Sequence, residues 1–363
     1  MIPLVDLHKQ YLSIKKEIDI AISSVISESA FIGGKYVKGF EEKFAEFQNS
    51  SYCIGVANGT DALEIAIEAL DLKKGSEIIV PANSFISSAE VVVRLGYKIV
   101  FCDANQFNFT INLSDLENRI TKNTSAIIVV HLYGHPCDMD NILKLTRPTG
   151  IKVIEDCAQA HGAEYKNKRV GCIGDIGCFS FYPGKNLGAY GDAGAIVTND
   201  FDLSTKCRMI ANHGRIAKYD HEFPGRNSRL DGLQAAILTV KLGHLNHWTD
   251  HRIEMAQHYL SKLSEIVDLK LPEKNSWAKH VYHLFVIMHP ERNKLGDKLA
   301  TYKIQTGIHY PIALPKLNAF KKIGQQSEKS FAWTCGKDLL SLPIDGTMKV
   351  SSVDLIKKVL SSV

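Results

Sequence analysis

Residues 51–70, SYCIGVANGTDALEIAIEAL, change their hydrophobic period halfway along. A short apolar, β-rich run ends at about Ala57, and from Thr60 onward the apolar residues recur at helical spacing. The turn between them is Asn58-Gly59-Thr60. Free N–H groups and the positive end of a helix dipole collect at such a junction, and a glycine there lets an anion come close. The turn lacks the G-x-G-x-x-G dinucleotide fingerprint, and on this segment alone a plain helix cap is the better explanation.

The alternation repeats downstream. SEIIVPA (76–82) precedes SSAEVVVRLG (87–96), KIVFCDA (98–104) follows, and TSAIIVVHLYG (124–134) precedes DMDNILKLT (138–146). IKVIEDCA (151–158), GDIGCFSF (174–181) and AGAIVTND (193–200) bring the strand candidates to seven. Strands spaced by helix-length segments predict an α/β domain with a largely parallel sheet covered on both faces. After Arg229 come long helical stretches, RLDGLQAAILTVKLGHL and HRIEMAQHYLSKLSEIV. A smaller α+β portion follows, with a strand at YHLFVIM, a helix around ERNKLGDKLATYKI and a last helix after DGTMKV. We expect a large domain over residues 1–250, including an N-terminal helical segment, and a small domain over 251–363.

Composition narrows the function classes. The 363 residues are 45% apolar, enough for a full core, and the net charge of +4 is spread without a basic block, which argues against nucleic acid. None of the eight cysteines forms a Cys-x-x-Cys pair, as suits buried thiols of a reducing cytoplasm. No stretch has the length of a membrane helix, and the N-terminus lacks a signal-peptide apolar core.

IKVIEDCAQAHG (151–162) delivers Asp156 at the carboxyl end of a buried strand and Gln159 three residues later, where α/β folds place their ligands. A helix cap would explain Asp156 as readily. FSFYPGKNLGAYGDAGAIV (179–197) sets Lys185 on a tight loop after a mostly apolar strand. Lysine is rarely buried without a use, and a desolvated lysine has a lowered pKa suited to imine formation, although a surface lysine with a packed stem is the simpler alternative. A phosphate cradle, a strand-end acid and such a lysine together suit pyridoxal phosphate, which has a phosphate, a pyridine nitrogen and an aldehyde. HLYGHPCDMD raises a metal site from His131, His135 and Cys137, with Asp156 and Cys157. The spacing matches no four-ligand zinc pattern, and Pro136 disfavours a metal-binding helix face, so we expect no metal.

NGTDAL, EDCAQAHGAEYKNKRVGCIGDIGCFSFYPGKNLGAYGDAGAIVTND and NHGR resemble the DegT-type nucleotide-sugar aminotransferases, a branch of the fold-type I pyridoxal phosphate enzymes. The likeness runs from FIGGKYVKGFEEKFAEF to HYPIAL, nearly the whole chain. It implies a seven-stranded, mostly parallel sheet in the large domain. It further implies that Lys185 binds the cofactor and shuttles a proton, that Asp156 pairs with the pyridinium nitrogen, and that Gln159 bonds the phenolic oxygen. Phe85 would stack on the ring, Gly59, Thr60 and Ser180 would hold the phosphate, and Asn227 would complete the phosphate site of a partner subunit in a homodimer. Arg229 is a candidate for the donor's carboxylate, and Tyr182, His309 and Tyr310 for the sugar side. The implied reaction passes an amino group from L-glutamate, through pyridoxamine phosphate, to a nucleotide-linked keto sugar. A dTDP-3-keto-6-deoxyhexose is favoured, with a 4-keto sugar or a UDP-3-keto sugar as alternatives. A non-catalytic sugar-nucleotide sensor and an amino-acid aminotransferase are the rival readings.

Overall fold

A computed structural model describes residues 1–323 and 329–362. Its main sheet contains β1 (Tyr52–Val56), β2 (Glu77–Pro81), β3 (Lys98–Cys102), β4 (Thr124–Val130), β5 (Lys152–Asp156), β6 (Ile176–Ser180) and β7 (Gly194–Thr198). In space the order is β1-β7-β6-β5-β4-β2-β3. Neighbours are parallel except at β7, which runs antiparallel to both β1 and β6. Six strands therefore end, and β7 begins, along one edge.

Both faces of this sheet are covered, which is why its strands read as continuous apolar runs. Successive side chains point to opposite faces. Accordingly Ile78 and Val80 of β2, Ile128 of β4 and Ile154 of β5 enter one core, while Ile79, Ile127, Val129 and Val153 enter the other.

The two helical stretches expected after Arg229 form one unbroken helix, Gly232–Leu263. No proline interrupts the junction at Asn246–Asp250, and Gly243 has no neighbour within 4 Å to force a kink. Ala235, Leu238 and Leu245 of this helix pack with the large sheet, whereas Met255, Tyr259 and Leu263 pack in a third core with Phe285, Leu342 and Val353. There Phe285–Met288 pairs antiparallel with Leu339–Leu342. The first residues of the chain join this smaller unit, because Ile2 bridges Ile304 and packs on the same core. Among the described residues no helix is long and apolar enough to cross a membrane. All eight cysteines are free.

One buried network ties the large sheet to the loop before β6. Glu155 is fully buried; its carboxylate accepts N–H bonds from Gly171 (2.8 Å), Ile173 (2.8 Å) and Gly174 (2.6 Å). His131 adds a fourth contact, Nε2 to Oε2 at 2.9 Å, and its Nδ1 accepts the Cys137 N–H at 2.9 Å. The imidazole is thereby held as the Nε2–H tautomer. Removing the carboxylate strands several buried donors at once. Glu155→Ala is expected to lower the free energy of unfolding by about 3–5 kcal/mol in urea titrations, and a loss below about 1 kcal/mol, an ordinary single hydrogen bond, would contradict this account.

Candidate active site

The sheet edge gathers the residues singled out in the sequence. Asp156 ends β5, Ser180 ends β6, and Lys185 lies on the loop that turns the chain back into β7. Gly59 and Thr60 open the helix Gly59–Ala69 immediately beyond β1. Asn58 caps that helix by accepting the Asp61 N–H at 2.8 Å, leaving the N–H groups of the first residues without intrahelical partners. A Cβ on Gly59 would lie 2.6 Å from the Ser180 Cβ, so only glycine lets the helix start seat against β6. Thr60 Oγ1 meets Ser87 Oγ at 2.7 Å.

Asp156 is buried, and its two oxygens are engaged separately. Oδ1 accepts the Ala158 N–H at 3.1 Å and Oδ2 the Ser88 hydroxyl at 2.9 Å. Burial raises its pKa, against the opposing pull of these hydrogen bonds and of the Lys185 charge. Lys185 is partly accessible within the cleft, yet the surrounding protein removes enough water to push its ammonium down to about 8, with Asp156 opposing the shift. Gln159 is clamped on both sides: Oε1 accepts the Tyr133 N–H at 2.7 Å, and Nε2 donates to the Tyr310 hydroxyl at 3.0 Å.

Tyr310 and His309 arrive from the far side of the cleft. Tyr133 donates its hydroxyl to the His309 carbonyl, and His309 Nδ1 lies 2.9 Å from Ser341 Oγ. Burial, then the Lys185 charge, lower the His309 pKa. Phe85 is 54% exposed, its ring 5.9 Å from that of Tyr310, and Tyr182 is 59% exposed beside Lys185. Arg229 keeps a buried Nε without a hydrogen-bond partner. Asn227 is exposed on its loop, its backbone bridged to Asn212, outside the hydrogen-bond network around Lys185 in this protomer.

Several contributors were not singled out in the sequence. Ser88 and Tyr133 carry no motif; Ser88, in the helix Ser87–Arg94, also meets the hydroxyl of Ser84, which lies just before that helix, at 2.9 Å. His161 has both ring nitrogens buried without partners between Phe179 and Phe181, and burial pushes its pKa to about 3. His131, raised in the sequence as a candidate metal ligand, is fully buried just beyond β4. His131, Glu155 and Cys157 bring ligand-type atoms within 4.8 Å of one another, but Glu155 is already engaged by its own N–H donors.

Residues 12–361 match the DegT/DnrJ/EryC1/StrS aminotransferase family. The chain belongs to this family. Among relatives of this DegT-family protein, the dTDP-3-amino-3,6-dideoxy-alpha-D-galactopyranose transaminase of Aneurinibacillus thermoaerophilus is 42% identical over 98% of both chains. The UDP-N-acetyl-3-dehydro-alpha-D-glucosamine 3-aminotransferase of Acidithiobacillus ferrooxidans is 42% identical over 86% of this chain and 84% of that one. The crystal structure of S. venezuelae DesV in complex with a ketimine intermediate superposes with a TM-score of 0.97, at 35% identity, covering 99% of this chain and 98% of that one. The DegT-family chain is thus an α/β aminotransferase that uses pyridoxal phosphate, with pyridoxamine phosphate as the aminated form.

Only a neutral amine attacks an aldehyde, so if Lys185 is the amine that captures the cofactor, its lowered pKa has a kinetic signature. Capture of pyridoxal phosphate by the apoenzyme should accelerate about tenfold per pH unit at low pH and level off near 8. Stopped-flow absorbance measures the rate. A rate still climbing steeply towards the ordinary lysine value of 10.5 would show that burial does not control this amine.

Proposed function

We propose that the enzyme transfers the amino group of L-glutamate to the C-3 keto carbon of a nucleotide-linked hexose, with dTDP-3-keto-6-deoxyhexose as the preferred acceptor. The observation that carries the reading is the set at the sheet edge: buried Asp156 and Gln159, the latter bonded to Tyr310, beside the partly desolvated Lys185. Two relatives of equal identity carry names set at C-3, one on dTDP and one on UDP, which favours C-3 over C-4. The free thiols fit a cytoplasmic enzyme.

The residues suit the cofactor. The Gly59 helix start, with Thr60 and Ser180, offers N–H and hydroxyl donors to a phosphate, and no side chain at Gly59 blocks the approach. Asp156 presents a carboxylate oriented by Ser88 and Ala158, fit to hold a protonated ring nitrogen. Gln159 Nε2 can donate to a phenolic oxygen, and Phe85 offers an exposed ring face to stack. When bound, pyridoxal phosphate supplies the aldehyde and the electron-withdrawing ring that the transfer requires. Lys185 Nζ would hold the group covalently and, as a free neutral amine, would move a proton. Arg229 offers a guanidinium for the glutamate carboxylate, and Tyr182, His309 and Tyr310 would line the sugar side.

The exposed Asn227 supports a homodimer in which it completes the phosphate site of the partner subunit. Lys185→Ala should lower kcat by about 10⁴-fold or more. If sites are shared, mixing inactive Lys185→Ala and Asn227→Ala chains should restore about a quarter of wild-type activity, since half the random dimers hold one intact site. No recovery after subunit exchange would place Asn227 in its own chain's site, and an Asn227→Ala enzyme that is fully active by itself would place it outside both.

The substrate is tested by loading pyridoxamine phosphate and offering dTDP-3-keto-6-deoxyhexose, a UDP-3-keto sugar and dTDP-4-keto-6-deoxyglucose. A 3-amino product from the dTDP-3-keto sugar, located by NMR, is expected. Product from the UDP sugar alone would reassign the nucleotide, and product from the 4-keto sugar alone would overturn the C-3 reading.

A further inference from the structure

The loop that carries Lys185 is short and folded on itself. Its ends are joined by the Ala189 N–H to the Phe181 carbonyl at 2.7 Å, and the Lys185 N–H closes a turn on the Tyr182 carbonyl at 2.8 Å. Gly188 packs so closely under this turn that a Cβ there would lie 2.2 Å from the Pro183 carbonyl oxygen. A displacement of Gly188 is therefore passed directly to Pro183 and the lysine beyond it.

Two side chains of the long helix hold this loop from outside. Lys241 is 1% exposed, and its ammonium donates to the Gly188 carbonyl with the Tyr190 ring centroid 4.9 Å away. Gln234 accepts the Tyr190 N–H on Oε1 at 2.8 Å. The two lie seven residues apart, nearly two full turns, on the same stripe of the helix. A fully buried lysine is costly unless its charge is satisfied, and a neutral side chain of similar length would fill this space without that cost. Nothing in the helix's own packing requires an ammonium here, whereas a donor long enough to reach Gly188 does.

We propose that Lys241 and Gln234 are positioning residues for Lys185: together they pin the loop's carbonyl and amide to the helix and so fix the direction from which the reactive amine meets the cofactor. The inference rests on the reading of Lys185 as the cofactor's covalent partner. Asn186, next in the chain, holds the opposite flank through its Nδ2 to the Val281 carbonyl at 3.2 Å and its Oδ1 to His283 Nδ1 at 3.1 Å. The loop is thus gripped from two sides, and the helix supplies one grip.

The test compares wild-type holoenzyme with Lys241→Met and Gln234→Ala. Borohydride reduction followed by peptide mass spectrometry of the wild type first shows whether Lys185 carries the cofactor. A different carrier would overturn the reading beneath the inference, and the inference with it. With Lys185 confirmed, both variants should shift the pH at which the absorption band of the lysine-bound cofactor titrates. They should also lower kcat on the order of tenfold at unchanged sugar KM, within what a 1 Å misplacement costs. Loss of thermal stability with the titration and kcat unchanged would show that Lys241 only stabilises the fold and would overturn the proposal. If Lys241→Met does not fold, Gln234→Ala decides the matter by the same titration, since an unmoved band there removes the clamp.

Discussion

An amine surrounded by protein loses the hydration that keeps it charged, and at Lys185 this loss outweighs the attraction of Asp156. The same desolvation raises Asp156, where hydrogen bonds from Ala158 and Ser88 and the Lys185 charge pull the other way. Neither group is set by its own side chain alone. The shift of each depends on the charge of the other and on the protein packed around both.

The strand that carries Asp156 shows how this is achieved. Glu155 and Asp156 are adjacent, so the alternation of a strand sends their side chains to opposite faces. Glu155 faces inward among the N–H donors of residues 171–174 and locks the loop before β6. Asp156 ends the strand at the open edge and remains available for chemistry. Reversal of β7 then lets Lys185 sit at that edge, because the chain must turn there between β6 and β7. The smaller unit docks over the same place: the Val281 N–H meets the Gly134 carbonyl at 3.1 Å, the Leu284 N–H meets the Tyr133 carbonyl at 3.4 Å, and Tyr133 reaches the His309 carbonyl.

Much of this was legible in the residues. The seven strands were readable because both-sided burial leaves runs of apolar side chains, and Lys185, Asp156 and Gln159 stood out because polar groups beside such runs need a reason. Ser88, Tyr133 and the Asn186–His283 contact were not legible. They are ordinary residue types whose partners lie 68, 26 and 97 positions away, and no local pattern encodes such a pairing. The single helix Gly232–Leu263 was read as two stretches because its apolar stripe serves two different cores and loses its continuity where it passes from one to the other.

By itself the sequence determined the α/β class and the polar side chains that stand beside apolar strand runs, because local periodicity and the cost of burying polar groups act over short spans of chain. Tertiary structure alone decided which strand runs backwards, which hydroxyl and amide groups orient Asp156 and Gln159, and how far Lys185 is stripped of water. Those depend on contacts between distant segments, and desolvation is a property of everything packed around a group rather than of the group itself.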